Sequence, residues 1–395
     1  MLKTIRIAIG IIAAGLLANV AMAEPNQIIT SCNTIISSPG EYTLGGDLIC
    51  IDGNPSTQGI RIAADNVTLD CNGYGVKSDT FNGTIGVKGA NAIIRNCVIE
   101  GVNPPGWRSQ AILVYETENV LIEGNTIIGE YEGISLRNTR NSIVKNNIIN
   151  SYEGILQYSM GHFFAWDGTG NIIRNNDISA EWGINLFGGY GRTFPAGDPL
   201  GSGPEPTVHD NLIEKNNITA SLVSVALYGY CENCERDNNI KNNNLYGSPY
   251  TVYDWATVDD NIWDGNFWNP NGEYYLNSSS GIGAYSGDSN AAETPIVCGP
   301  DSDDDGIPNI NDKCPKSILD ANIVINGNDS GVKNQIFYSG CSMSDSIKLC
   351  ADGAKNHGKF VSCVSKLLDD WKKGGWISGK EKGAIQSTAA KSNIP

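Results

Sequence analysis

The most chemically explicit stretch of the chain is PDSDDDGIPNINDKCP, where oxygen-bearing side chains recur at alternate positions from Asp301. Asp301, Asp303, Asp305, the Ile307 carbonyl, Asn309 and Asp312 fall at places 1, 3, 5, 7, 9 and 12 of a loop. Gly306 at place 6 permits the sharp turn that lets such oxygens encircle a hard cation, here calcium. Asn309 brings no charge and Asp312 is too short for the bidentate grip of a glutamate, so the expected affinity is of the weak extracellular class. Two further carboxylates, Glu132 and Glu153, each precede a glycine in a repeated YEGI. In adjacent rungs ~4.8 Å apart they would match the ~5 to 5.5 Å separation of a retaining glycosidase. The same spacing arises in any stacked ladder, and it reads more simply as two surface carboxylates at a turn. Cys231 and Cys234 form a C-x-x-C with no second pair and no histidine at zinc-finger spacing, which favours a local disulfide over metal or redox work. His162, His209 and His357 are the only histidines; none belongs to an H-E-x-x-H or a triad, and each alone reads as a loop residue.

These side chains must be positioned by a repeat. Units open with a small residue at Gly59, Gly86, Ala111, Gly133, Gly154, Gly183, Ser224 and Thr251, mostly 21 to 29 residues apart. Each later half reads apolar-x-x-Asn-x-apolar, as in NVLIEGNTI, NSIVKNNII and NLIEKNNI. Both halves alternate with period two and are rich in Ile and Val, so each coil is expected to contribute two short strands. Stacked coils pair equivalent strands in parallel around one apolar interior, giving an all-β right-handed parallel β-helix. Asn72, Asn125, Asn147, Asn176, Asn216, Asn243 and Asn266, with Cys97 in one coil, should then form a hydrogen-bonded column at one turn.

Four residues after the openings runs a second column: Tyr115, Arg137, Tyr158, Phe187, Tyr228 and Trp255. Alternation sends it outward, and the longest insertions leave the coil directly behind it, so loops stacked on one side would turn it into the wall of a groove. The alternative is that the loops fold down and bury the rings as a satellite core. In the groove reading, Tyr158, Phe187, Tyr228 and Trp255 form a stacking platform for sugar rings, and Arg137 pairs a uronic carboxylate. Any acid or base must overhang from the loops, which nominates His162, Asp167 and Arg192. Glu132 and Glu153 lie about five residues back along the strand, on the order of 17 Å from the platform.

Address and charge narrow the function classes. The chain has 395 residues and a formal net charge of -16, which makes it a poor candidate for wrapping nucleic acid, so none is expected as a partner. Lys3 and Arg6, an apolar run from Ile7 to Val20 and the small-x-small Ala21-Met22-Ala23 make a secretory signal peptide cleaved after Ala23. No second run reaches spanning length, so the expected location is secreted, periplasmic or cell-surface, and the 11 cysteines are read first as disulfides. Cys32 with Cys50, Cys71 with Cys97, Cys231 with Cys234 and Cys298 with Cys314 each close a reasonable loop. That leaves Cys341, Cys350 and Cys363 with one unpaired thiol.

The opening SCNTIISSPGEYTLGGDLIC, followed by NVTLDCNG and IIRNCVI, resembles the secreted right-handed parallel β-helix family over roughly residues 28 to 275. Its members include pectate lyases, polygalacturonases, alginate epimerases and the periplasmic copper-handling accessory protein of nitrous-oxide reductase, whose small-coil branch is the most similar. The resemblance implies a fold more firmly than a chemistry. The paired aspartates and Gly-His-Gly of polygalacturonases are not found, and RTFPAG at Arg192 lacks the second arginine of the lyase R-x-P-x-x-R. The acidic loop resembles a type 3 thrombospondin repeat. The resulting domain order is signal peptide 1–23, β-helix 24–275, flexible Ser/Gly/Ala linker 276–297, calcium repeat 298–315, connector 316–340 and a helical Cys-bearing tail 341–395. In the tail, Ser378 and Glu381 make a capping box. The tail resembles those of other secreted prokaryotic proteins, which carry a cysteine where this chain has Thr388; the resemblance implies an unpaired thiol in this segment and surface attachment as its default role. Function is read as binding or processing of an extracellular polysaccharide, by a lyase or hydrolase if catalytic. The alternative is a noncatalytic adhesion or surface protein with the coil as rigid spacer.

Overall fold

Alternate Ile, Val and Leu side chains of many three- to six-residue strands turn inward and stack into one continuous core, from Ile29 at one end to Trp268 at the other. The computed structural model describes residues 27–51, 59–79, 83–101, 109–161, 167–191, 207–229, 235–254, 261–276, 279–282, 285 and 287–394. Among these, the coils build a right-handed parallel β-helix with three ladders rather than the two strands per coil expected. The first is a ten-stranded parallel sheet that includes Leu121–Glu123, Ile143–Lys145 and Ile172–Arg174. The second stacks short strands such as Val98–Gly101 and Thr126–Ile128. The third stacks Gln110–Tyr115, Glu132–Arg137 and their successors. The strands Ile148–Gly161, Asp177–Gly191 and Asn217–Gly229 run unbroken through the second and third ladders, which fuses these into one 17-stranded sheet.

Turns between ladders are fixed by asparagine. At the corner from first to second ladder, the Nδ2 atoms of Asn125, Asn147, Asn176, Asn216 and Asn243 each donate 3.0 Å to Oδ1 of the next asparagine, ending on Asn266. Each residue just before this column takes a left-handed φ, among them Gly124, Asn146, Asn175 and Asn242, which Gly and Asn tolerate best. Asn72 does not join: it is exposed, and the interior place is held by Cys71, disulfide-bonded to Cys97. A second buried column, not anticipated from the repeat, runs at the corner from third to first ladder, where Asn211 Nδ2 donates 2.9 Å to Asn238 Oδ1 and Asn238 donates 3.1 Å to Asn261. Its signal was the leading Asn of N-x-I-x-x-N-N.

Residues 287–297 close the end of the solenoid instead of forming a free linker. Asp288, buried, takes the last place of the first asparagine column: its Oδ2 accepts from Asn266 Nδ2 and from Trp268 Nε1, both at 2.9 Å. From there the chain climbs back along the flank. Ile296 is hydrogen-bonded to Asn244, the Cys298 thiol to the Asn242 carbonyl at 3.3 Å, and Gly299 N–H to the Lys215 carbonyl. Asp301 exchanges two hydrogen bonds with the Asn146 amide at 2.7 and 3.0 Å, and Asp304 pairs with Lys145 and Arg174.

The C-terminal unit has its own core. Helices α1 (Met343–Asp352), α2 (His357–Lys373) and α3 (Gly379–Lys391) pack Ile347, Phe360, Val364, Leu368 and Ile385 against a hairpin of Asn322–Ile325 and Asn328–Lys333. The hairpin lies in the segment expected as a connector, and its Ile323, Ile325 and Val332 are buried with the helices. The Ser378–Glu381 capping box is formed, and a second one joins Ser342 to Asp345 at the start of α1. His357 sits on α2 with its ring against the Ile394 and Ala390 carbonyls at 3.0 and 3.2 Å.

The cysteine pairing differs from expectation in this half. Cys32 is bonded to Cys50, but Cys314 is bonded to Cys341 and Cys350 to Cys363, so Cys298 and not a tail residue is the free thiol among the described residues. Cys298 is drawn to the flank of the solenoid by its contact with Asn242, which removes it from Cys314. Burial pushes its thiol up to about 11. Cys231 and Cys234 lie outside the described residues.

Candidate functional site

The outer face of the third ladder carries three rows of side chains fixed by strand register. One row is Gln110, Glu132, Glu153, Trp182, Val223 and Tyr250. The next contains Ser135, Leu156, Asn185, Ala226 and Tyr253. The third is the anticipated column Tyr115, Arg137, Tyr158, Phe187 and Tyr228; Trp255 lies outside the described residues. Tyr158 and Phe187 have ring centroids 5.0 Å apart, and Phe187 meets Tyr228 edge-on at 4.7 Å and 70°. Phe187 is only 8% exposed. The centre of this column is therefore packed ring on ring and is no flat platform, because an edge-on pair satisfies the ring quadrupoles better than coplanar stacking along the coil.

Arg137, between Tyr115 and Tyr158 in that column, folds back along its own strand. Its Nε donates to Ser135 Oγ at 3.1 Å, and its Nη2 lies 3.2 and 3.3 Å from the two carboxylate oxygens of Glu132. The distance expected to isolate Glu132 from the column is bridged by the folded arginine side chain. Glu132 is 6% exposed, so it is no surface carboxylate, and Gln110 Nε2 reaches its Oε1 at 3.4 Å. Glu153 stands beside it in register on the next rung. The glycines that follow each glutamate let the rungs close here: a Cβ at Gly133 would meet the Gly154 carbonyl oxygen at 2.6 Å, and one at Gly154 would meet that of Gly183 at 2.5 Å.

The two carboxyls are chemically unequal. Burial, and then the neighbouring Glu132 charge, push the Glu153 carboxyl up to about 7, while the Asn185 amide and the Arg137 guanidinium pull it partly back. Around them Tyr131 and Tyr152 stack at 4.7 Å with an 18° interplanar angle. Burial first, then Glu153, Tyr152, Glu132 and Glu181, push the Tyr131 phenol up to about 12. Asn185 is buried at 1% exposure, and neither atom of its amide makes a hydrogen bond of good geometry.

Trp182, the next residue of the glutamate row, also forms one wall of a cleft of about 440 Å³ lined by Trp182, Leu222, Val223, Tyr228, Tyr250 and Tyr253. Trp182 and Tyr228 are 6.4 Å apart between centroids, and Tyr253 stacks on Tyr275 at 5.6 Å. Acid pair and aromatic cleft thus adjoin on one face. Of the loop residues nominated for chemistry, His162 and Arg192 lie outside the described residues. Asp167 is described, and its Oδ1 accepts from Thr207 N–H at 2.9 Å while its Oδ2 lies 4.0 Å from His209 Nε2, so it joins the bases of two loops.

On the flank, ligand oxygens of Asp301, Asp303 and Asp305 lie within 4.8 Å of one another. Gly306 has φ +94°, the turn required at that place. Burial first, then Asp303 and Asp305, push the Asp301 carboxyl up to about 6, against the pull of the Gly306 N–H. Asp301 Oδ1 and Asp305 Oδ2 are buried without a hydrogen-bond partner, which fits hard oxygens around a cation, whereas Asp312, also expected as a ligand, is not in this three-residue group. Asn309 is turned to Ser302, accepting from its N–H at 3.0 Å and donating to its hydroxyl at 2.8 Å, and Ile307 donates its N–H to Asp305 Oδ1 at 2.7 Å. No helix of the described residues is long and apolar enough to cross a membrane.

None of the curated proteins matches the chain in sequence. Among solved structures, the tailspike protein of E. coli bacteriophage HK620 in complex with a pentasaccharide is similar at 10% identity and TM-score 0.42, over 60% of this chain and 48% of that one. The A-module of an Azotobacter vinelandii mannuronan C-5 epimerase is similar at 14% identity and TM-score 0.39, over 60% and 72%. The catalytic domain of a GH87 α-1,3-glucanase in complex with nigerose is similar at 13% identity and TM-score 0.34, over 62% and 51%. The chain spans about half the length of the tailspike chain it matches. It also matches the family described as right handed beta helix region over residues 33–161 and 83–297, and with its stacked parallel ladders it belongs to that right-handed β-helix family.

Proposed function

We propose that the chain is an exported protein that binds an extracellular polysaccharide on the outer face of the third ladder, with calcium as the ion of the Asp301 loop. The observation that carries this reading is the cleft formed by Trp182, Tyr228, Tyr250 and Tyr253. Sugar rings present apolar C–H faces that stack on aromatic side chains, and a phenol or indole at the rim adds a polar handle for hydroxyls. The cleft runs along the coil axis, so successive sugars of a linear chain meet successive rungs. The signal sequence and the four disulfides among the described residues support export.

The test is retention on a panel of insoluble glucans, mannans, galactans and uronic-acid polymers. Wild-type protein should be retained by at least one. The double substitution Tyr250→Ala, Tyr253→Ala should weaken that retention at least tenfold, with circular dichroism unchanged. Equal retention of the double variant overturns the assignment of the cleft, and no retention by any polymer overturns the glycan reading itself.

A further inference from the structure

We propose that Glu153 and Glu132 form the acid and nucleophile pair of a glycoside-hydrolysing centre at the end of the aromatic cleft. The inference rests on the glycan reading above and adds a reaction to it. Spacing by itself decides nothing, because any two ladder neighbours stand ~4.8 Å apart, near the ~5 to 5.5 Å of retaining enzymes. What distinguishes this pair is the unequal treatment of two identical side chains. Glu132 is held from two sides, by Arg137 Nη2 at 3.2 Å and by Gln110 Nε2 at 3.4 Å. Glu153 receives a weaker hold, from the Asn185 amide; it faces Glu132 and Arg137 on one rung and Asn185 on the other, with Tyr131, Tyr152 and Glu181 nearby. Burial holds its carboxyl protonated up to about pH 7, the range suited to a general acid.

Two further observations point to a ligand here. Asn185, 1% exposed, keeps both amide atoms without a well-formed hydrogen bond in the row beside the glutamates, where a sugar hydroxyl would satisfy them. Trp182 is the rung partner of Glu153 and also the wall of the cleft, so a sugar stacked there leads its neighbour onto the acid pair.

The step balances with water alone. The Glu153 proton moves to the glycosidic oxygen as the bond to the anomeric carbon breaks, the electron pair staying on that oxygen. A Glu132 carboxylate oxygen takes the anomeric carbon. Water then attacks that carbon, the ester bond breaks with its pair returning to Glu132, and the proton released by water restores the Glu153 acid. The sugar configuration is retained.

The experiment uses the full exported chain and the same polymer panel, read by reducing-end release, product configuration by NMR, and retention. Wild type should release ends with retained configuration and an alkaline limb near pH 7 in kcat/KM. Glu153→Gln should bind undiminished while release falls ~10²- to 10⁴-fold. Should that variant fail to fold, Glu153→Asp and the wild-type pH profile carry the test. Retention of a polymer without release by wild type overturns the acid pair and leaves the cleft standing, whereas the absence of retention and release overturns both. Inverted products, or release within tenfold of wild type in a folded Glu153→Gln, also overturn the proposal.

Discussion

Arg137 folds back along its own strand to place Nη2 3.2 Å from the Glu132 carboxylate, five residues earlier. A residue of the aromatic column, flanked there by Tyr115 and Tyr158, thereby becomes part of the acid pair. With the side chain of Glu132 8% exposed and that of Arg137 27% exposed, the pair lies mostly out of water. Removing one partner leaves a carboxylate that water cannot fully solvate. Arg137→Met should cost about 2 kcal/mol in urea unfolding. The double variant Arg137→Met, Glu132→Leu should recover most of that. Arg137→Met should also raise the Glu153 midpoint further, since the guanidinium now holds it down.

A pH dependence follows from Glu153. Its carboxyl rises from 4.5 in the open chain to about 7 in the fold. Between those values the folded state holds a proton that the unfolded state has released, so this residue makes stability fall as pH rises through the window, levelling off above about 7. Glu153→Gln lacks that slope. The difference in unfolding free energy between wild type and variant should change by ~1 to 3 kcal/mol between pH 4 and pH 8, in favour of the variant at the alkaline end.

The asparagine column should be sensitive at its centre. Asn176 donates to Val144 O, Arg174 O and Asn216 Oδ1, all at 3.0 Å, and its Oδ1 accepts from the backbone and side-chain amides of Asn147, also at 3.0 Å. Asn176→Ala leaves several of these groups unpaired in a dry interior. A loss of ~2 to 4 kcal/mol is expected by urea unfolding, against less than ~0.5 kcal/mol for Asn72→Gly, which keeps the left-handed φ of +53° at the exposed position.

The flank loop should respond to metal. Asp301 Oδ1 and Asp305 Oδ2, which lack a hydrogen-bond partner, would gain one from a bound cation. Calcium added to chelated protein should slow amide exchange at residues 301 to 312 by tenfold or more, with Asp303→Ala abolishing the effect and the solenoid core unchanged. Equal exchange with and without calcium would show that the oxygens hold no ion.

Much of this was legible in residue types. Alternating Ile and Val announced the coil, the Asn recurring in apolar-x-x-Asn-x-apolar announced the corner column, and Ser378 with Glu381 announced the start of α3. The second ladder escaped because strands such as Thr126–Ile128 are three residues long and show too little alternation to separate from a turn. Residues 287–297 were misjudged by composition: Ser, Gly and Ala suggest freedom, yet one side chain, Asp288, fills the open end of a hydrogen-bonded column. The Cys314–Cys341 bond and the Arg137–Glu132 contact depend on where the chain goes after it has left the local element, and periodicity carries no information on that.

A solenoid whose rungs touch only their neighbours can fray from either end, one coil at a time. The segment from Ile296 to Asp304 changes this by leaning across the edge and fastening Asn244, Asn242, Lys215, Asn146 and Lys145, residues that belong to several successive rungs. It acts like the spine of a book bound across its pages. Loss of one rung in that span must break the binding of the others, so unfolding there becomes a joint event. Since this strip is synthesised after the rungs it fastens, those rungs gain their cooperativity only once the chain has been made through Asp304.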